Sequence, residues 1–95
     1  PVDGEYTLVF DGKLTGNGPR ELMNLLLERG ANICLVFAGN DEDGYRYVCG
    51  SHKEDVRPAG KRLNEAFHGR GGGKAEMVQG SVHGTEEEIR RFFGN

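Results

Sequence analysis

Gly69-Arg70-Gly71-Gly72-Gly73-Lys74-Ala75-Glu76-Met77-Val78-Gln79-Gly80 decides how this chain is read. Its three consecutive glycines remove every Cβ from a length of backbone, so an anion or a planar group can lie directly against the amide N–H groups. Glycine loses more conformational entropy on folding than any other residue, roughly 0.5–1 kcal/mol relative to alanine, so such a run points to a use for close approach. Arg70 and Lys74 place positive charge at its two ends. Together these residues read as a cradle for a phosphate backbone or another anionic ligand. Spacing excludes two glycine motifs. A P-loop needs G-x-x-x-x-G-K-[ST], but Gly69 and Gly73 are one residue too close and Ala75 offers no hydroxyl to magnesium. A dinucleotide fingerprint needs its third glycine where Lys74 stands.

Immediately upstream, Pro58 opens a helix whose Leu63, Ala66 and Phe67 face inward while Lys61, Arg62 and Glu65 face water, and Gly69 stops it. Further upstream, Ile33–Ala38 and Tyr45–Gly50 are apolar and aromatic-rich and flank the turn formers Gly39-Asn40-Asp41-Glu42-Asp43-Gly44, a β-hairpin pattern. Symmetric closure of that hairpin pairs Gly39 with Gly44, Ala38 with Tyr45, and Cys34 with Cys49. Tyr6–Phe10 reads as a first strand. Pro19–Arg29 reads as a helix, with Leu22, Leu25 and Leu26 on its apolar stripe and Gly30 as its stop. Downstream, Ala75–Gln79 is a short strand, and Thr85-x-x-Glu88 is a capping box that opens a last helix burying Ile89, Phe92 and Phe93. The order β-α-β-β-α-β-α predicts an α/β fold, a mixed sheet covered by helices.

Ninety-five residues make a single domain, 1–95, with one modest core. Because residue 1 is Pro rather than Met, the chain reads as a fragment of a larger protein. No apolar run approaches the ~20 residues that span a bilayer, and no signal-peptide pattern opens the chain, so the expectation is a soluble, cytoplasmic protein without a membrane partner. A net charge of −3 argues against indiscriminate adsorption to nucleic acid. The charge is polarised, however: Arg46 to Lys74 holds seven Lys/Arg against three Asp/Glu, leaving five against twelve elsewhere. Two cysteines are too few for a disulfide scaffold in so small a domain, so Cys34 and Cys49 are read as reduced, small core hydrophobes.

With those residues in view, Gly71, Gly72, Gly73, Lys74, Met77, Gln79 and Gly80 fall on a GGGK-x-x-M-x-Q pattern, and the chain resembles the DHH-associated domain. That module ends alanyl-tRNA synthetases, alanyl-tRNA editing proteins and DHH phosphoesterases. Ala75-Glu76 stands where synthetases usually carry Pro-Asp, Val78 where they carry Ala, and Lys74 where phosphoesterase members carry His. The resemblance implies a non-catalytic, nucleic-acid-binding C-terminal domain of a synthetase-related or editing protein. Its implied partners are tRNA, alanine-specific, and a catalytic N-terminal domain of the parent chain; a homodimer through apolar helix faces is a further reading. The alternative is the substrate-binding domain of a DHH phosphoesterase.

On this reading Gly71, Gly72 and Gly73 admit phosphate or ribose to backbone amides, Arg70 and Lys74 neutralise charge, and Arg57, Lys61 and Arg62 extend the track. Gln79 either contacts a sugar or base edge or is buried and structural. No catalytic, metal or cofactor site is expected: His52, His68 and His83 have no ligand spacing, and Ser51, His52 and Asp55 are too close in sequence to converge as a triad. Ser51 or Asp55 is expected to cap the Pro58 helix instead.

Overall fold

The computed structural model describes residues 6–94. Eight elements follow one another: β1 (Tyr6–Phe10), α1 (Gly18–Glu28), β2 (Ile33–Asn40), β3 (Gly44–Ser51), α2 (Arg57–Ala66), β4 (Arg70–Lys74), β5 (Met77–Val82) and α3 (Glu86–Phe92). The strands form one mixed sheet in the order β1-β2-β3-β5-β4. β1 runs parallel to β2, with α1 as the crossover, and every other pairing is antiparallel. The α/β class and the element order agree with the sequence reading, with one strand added. The glycine tract is itself the edge strand β4, turned back onto β5 through Ala75 and Glu76.

Alternation along the central strands supplies two cores. Ile33, Leu35 and Phe37 of β2 and Tyr45, Tyr47 and Cys49 of β3 pack against α2 and α3. Cys34 and Val36 of β2 and Val48 of β3 meet Met23 and Leu27 of α1 on the opposite face. β2 is thus buried on both sides, which is why its sequence is an unbroken apolar run rather than an alternation. Each fully buried large side chain such as Phe37 or Leu35 contributes roughly 1.5–3 kcal/mol of apolar burial.

The hairpin closes one residue away from the symmetric expectation. Asn40 pairs with Gly44 and Gly39 with Tyr45, so Cys49 lies opposite Leu35 and Cys34 opposite Gly50. The Asn40 side chain sets this register: its Oδ1 accepts the N–H groups of Glu42 (2.9 Å) and Asp43 (2.7 Å). That shortens the loop to Asp41-Glu42-Asp43. A one-residue slip moves a side chain to the other face, and the cysteines accordingly sit in different cores. Both are free and buried, as core hydrophobes. Burial pushes the Cys34 thiol up to about 11 and the Cys49 thiol up to about 12.

Three helix faces also differ in detail. The buried line of α1 is Pro19, Met23 and Leu27. Leu25 lies roughly 200° around the helix from Met23 and is 44% exposed. In α2, Ala59, Gly60 and Leu63 are buried, while Ala66 is exposed and Phe67 takes its place against the core. In α3, Ile89 and Phe93 are buried, whereas Phe92 is 40% exposed and rests edge-on against Phe67. The Thr85/Glu88 capping box is present in both directions. Asp41 adds to it by accepting the Glu86 N–H (2.8 Å), tying α3 to the hairpin loop.

Candidate nucleic-acid interface

α2 ends without glycine in the left-handed position. His68 takes φ 53°, and the Gly69 N–H reaches back to the Asn64 carbonyl (2.8 Å), the wrap-around bond of a Schellman stop. Glycine is needed at 69 for contact instead, because a Cβ there would meet the Ser81 carbonyl oxygen and Val82 Cγ1 (2.6 Å). The chain enters β4 from this tight point.

Within β4 the three glycines divide. A Cβ on Gly71 would strike the Gln79 carbonyl oxygen and Gly80 Cα (2.6 Å), and one on Gly73 would strike the Met77 carbonyl oxygen and Val78 Cα (3.0 Å). Gly80, opposite Gly71, would likewise place a Cβ on the Arg70 carbonyl oxygen and 2.7 Å from Gly71 Cα. These three let two backbones approach each other. Gly72 is different, since nothing lies within 4 Å of where its Cβ would be. As the edge strand, β4 also leaves one side of its backbone without a partner strand.

Cross-strand register assigns the side chains to faces. Arg46, Ser81 and Arg70 are directly opposed on β3, β5 and β4; the next row is Val48, Gln79 and Gly72, and the next Gly50, Met77 and Lys74. All belong to the face that carries α1, because Val48 and Met77 pack into the α1 core. α1 covers β2 and β3 and leaves the β5–β4 end open. There Arg46, Arg70, Lys74, Gln79 and Ser81 are all exposed, joined by Arg20 from the first turn of α1. Arg20 and Gln79 line two adjoining depressions, one reaching Arg46 and Gly80, the other reaching Gly72, Lys74 and Glu76. Among the described residues, none of Arg20, Arg46, Arg70 and Lys74 is in an ion pair.

The structure therefore brings together only part of the expected site. Arg70, Lys74, Gln79 and Gly72 converge, and Gln79 is exposed rather than structural. Gly71 and Gly73 are fastened against β5 yet exposed on the other face of the strand. Arg57 and Lys61 lie on the opposite face, where they line a cleft of about 290 Å³ with Tyr47, Asn64 and all three tract glycines, Gly71, Gly72 and Gly73. Arg57 is also held by Asp55, at 3.0 Å through Nε and 2.7 Å through the terminal nitrogen. This pairing lowers the Asp55 carboxyl to about 2 and raises the guanidinium. Arg62 points to the far edge of the sheet, donating to the Tyr6 hydroxyl (3.1 Å). Arg57 and Lys61, one helical turn apart, thus meet the glycine tract from its α2 side, while Arg62 is turned away, so the expected cations are split between two faces rather than forming one track.

Arg20, Arg46 and Ser81 were missed by the sequence reading. Two of them flank Gly72 and Gln79 only through sheet register and the crossover helix, and no local spacing signals that. Neither Ser51 nor Asp55 caps α2, whose N-cap is Val56 without a side-chain cap: Asp55 accepts the Arg57 N–H (3.0 Å) two residues on, and Ser51 accepts the N–H groups of Lys53 and Glu54. Among the described residues, no three His, Cys, Asp or Glu side chains gather as a metal site, and no helix is long and apolar enough to cross a membrane.

Comparison with solved structures shows a likeness that covers nearly all of the chain. The crystal structure of the C-Ala domain from Aquifex aeolicus alanyl-tRNA synthetase superposes with a TM-score of 0.69 over 94% of this chain and 86% of that one. The chain folds like a C-Ala domain. Sequence identity is 17%, so the likeness speaks for the fold alone. No protein-family model and no curated protein matches the sequence. In the C-Ala-like fold seen here, the basic surface sits where α1 leaves the sheet uncovered.

Proposed function

We propose that this chain is a non-catalytic accessory domain of an alanyl-tRNA-synthetase-related protein, an editing protein included, and that it binds tRNA through the open β5–β4 end of its α1 face. The observation that carries the reading is the convergence of Arg20, Arg46, Arg70 and Lys74 around Gln79 and Gly72 in a protein whose net charge is −3. Cations gathered on one face of an otherwise acidic chain are the footprint of a polyanion. The C-Ala-like fold supports tRNA as that polyanion, and the GGGK-x-x-M-x-Q pattern supports kinship with DHH-associated domains. The depressions are small: at about 240 Å³ the one beside Arg46 falls below the 300–1,000 Å³ that encloses a small ligand and the one beside Lys74, at about 330 Å³, sits at its lower end, which favours a polymer lying across the surface. On this reading the parent protein supplies the catalytic domain, and alanine-specific tRNA is the cognate ligand.

The test is a titration of labelled alanine-specific tRNA at several salt concentrations. Four phosphate-contacting cations give a slope of log K against log salt of about −3, and Arg46→Ala with Arg70→Ala should reduce it by about 1.5. Arg57→Ala and Arg62→Ala, on other surfaces, should change neither affinity nor slope. Equal affinity and slope for wild type and the Arg46/Arg70 double variant would remove the RNA reading.

A further inference from the structure

The basic face is not uniform along β5. At one end, Ser81 stands between Arg46 and Arg70 in a single cross-strand row, with strands about 4.8 Å apart. Two guanidinium groups and a hydroxyl across two strand spacings match a phosphate, which accepts from fork-shaped donors on either side. Asp43 and His83 border the far side of this row, and the Asp43 carboxylate is engaged by the Asn40 amide (3.0 Å). Two residues along, roughly 6.8 Å by strand rise, comes Gln79 beside the empty side-chain position of Gly72. That notch is also lined by Arg20, Lys74 and Glu76. The Glu76 carboxylate opposes an anion there, offsetting Lys74, whereas the arginine row carries no carboxylate between its members. The face is thus divided into a phosphate seat and a neighbouring pocket for a neutral, planar, hydrogen-bonding group.

Resting on the tRNA-binding reading above, we propose that this surface takes an unpaired nucleotide: its phosphodiester on Arg46, Ser81 and Arg70, and its base in the Gly72 notch. Gln79 hydrogen-bonds the base edge, since an exposed amide offers both donors and an acceptor. The Arg20 guanidinium supplies a flat surface for stacking, and the missing Cβ of Gly72 gives the base its room. A duplex keeps its base faces stacked and its edges inside the grooves, so it can fill the seat but not the notch. The ligand class is therefore loop or single-stranded RNA, with the phosphate grip giving affinity and Gln79 giving discrimination.

Three probes decide this: an unpaired RNA 12-mer, the blunt duplex of the same sequence, and tRNA. Each is titrated against the wild-type chain and against Arg46→Ala, Gln79→Ala and Gly72→Val. The unpaired RNA should bind at least tenfold more tightly than the duplex. Gln79→Ala and Gly72→Val should weaken the unpaired RNA at least fivefold without changing the salt slope, because neither alters charge. Arg46→Ala should lower that slope by about 0.7 for the unpaired strand. A Cβ at 72 meets no atom, so Gly72→Val is expected to fold, and circular dichroism confirms it. Duplex and unpaired RNA binding equally, or both neutral variants binding like wild type, would overturn the unpaired-nucleotide assignment and leave the tRNA-binding reading standing. Failure of all three RNAs to bind the wild-type chain would overturn both.

Discussion

Alanine at position 80 should unfasten the edge of the sheet, while alanine at position 72 should not. In Gly80→Ala the new methyl would fall on the Arg70 carbonyl oxygen, 2.7 Å from Gly71 Cα and 2.9 Å from the Arg70 carbonyl carbon. These are backbone atoms of a paired strand and cannot swing aside, so the β4–β5 ladder must shift. Overpacking of this kind costs typically 1–3 kcal/mol. For a domain of this size each kcal/mol moves the melting temperature by about 4–8 °C, so the expected loss is about 4–24 °C. In Gly72→Ala the methyl meets nothing within 4 Å, and Gly72 is not among the positive-φ residues. Restricting the unfolded chain then contributes roughly 0.4–1 kcal/mol, a rise of roughly 2–8 °C. Thermal unfolding followed by circular dichroism, with reversibility checked, measures both. Gly80→Ala melting with the wild type, or Gly72→Ala melting below it, would refute the division of these glycines into packing and open positions.

The two phenylalanines of α3 should separate in a urea titration: Phe93→Ala, at 3% exposure, is expected to lose about 3–5 kcal/mol, and Phe92→Ala, at 40%, less than half of that. The thiols of Cys34 and Cys49 should resist alkylation in the native protein at neutral pH and react on unfolding. Because burial raises both above the unfolded value near 8.5, their contribution is intact below that pH and is lost between it and about 11–12, so stability should fall with rising alkalinity. At the acid end, the hydrogen bonds from Arg57 hold Asp55 near 2, and those from Tyr45 and the Glu86 N–H lower Asp41. Both contribute above pH 4 and lose that contribution as pH falls towards 2. Both carboxylates are exposed, so the effect is small, and Asp55→Asn should flatten the melting temperature between pH 4 and 2 by part of it.

Local chemistry determined a good deal of this protein. Apolar runs separated by turn formers gave β2 and β3, proline starts gave α1 and α2, and Thr85 with Glu88 gave the start of α3, because each signal acts within a few residues. The glycine tract was legible as a place of close backbone approach, for the reason that only a missing Cβ permits it. What approaches was decided elsewhere. In isolation Arg70–Lys74 has little strand propensity, and it is a strand only because β5 offers a ladder to which Gly71, Gly73 and Gly80 can be fastened. The one-residue register of the hairpin depended on the Asn40 side chain closing a three-residue loop, and that choice sent Cys34 and Cys49 to opposite faces. The site followed the same rule. Side chains on neighbouring strands share a face according to register, and a helix covers only part of a sheet. Arg20, Arg46 and Ser81 therefore joined Arg70, Lys74 and Gln79 from distant parts of the chain, while Arg57 and Lys61 reached the glycine tract from its other face and Arg62 was turned away by the helix that carries it.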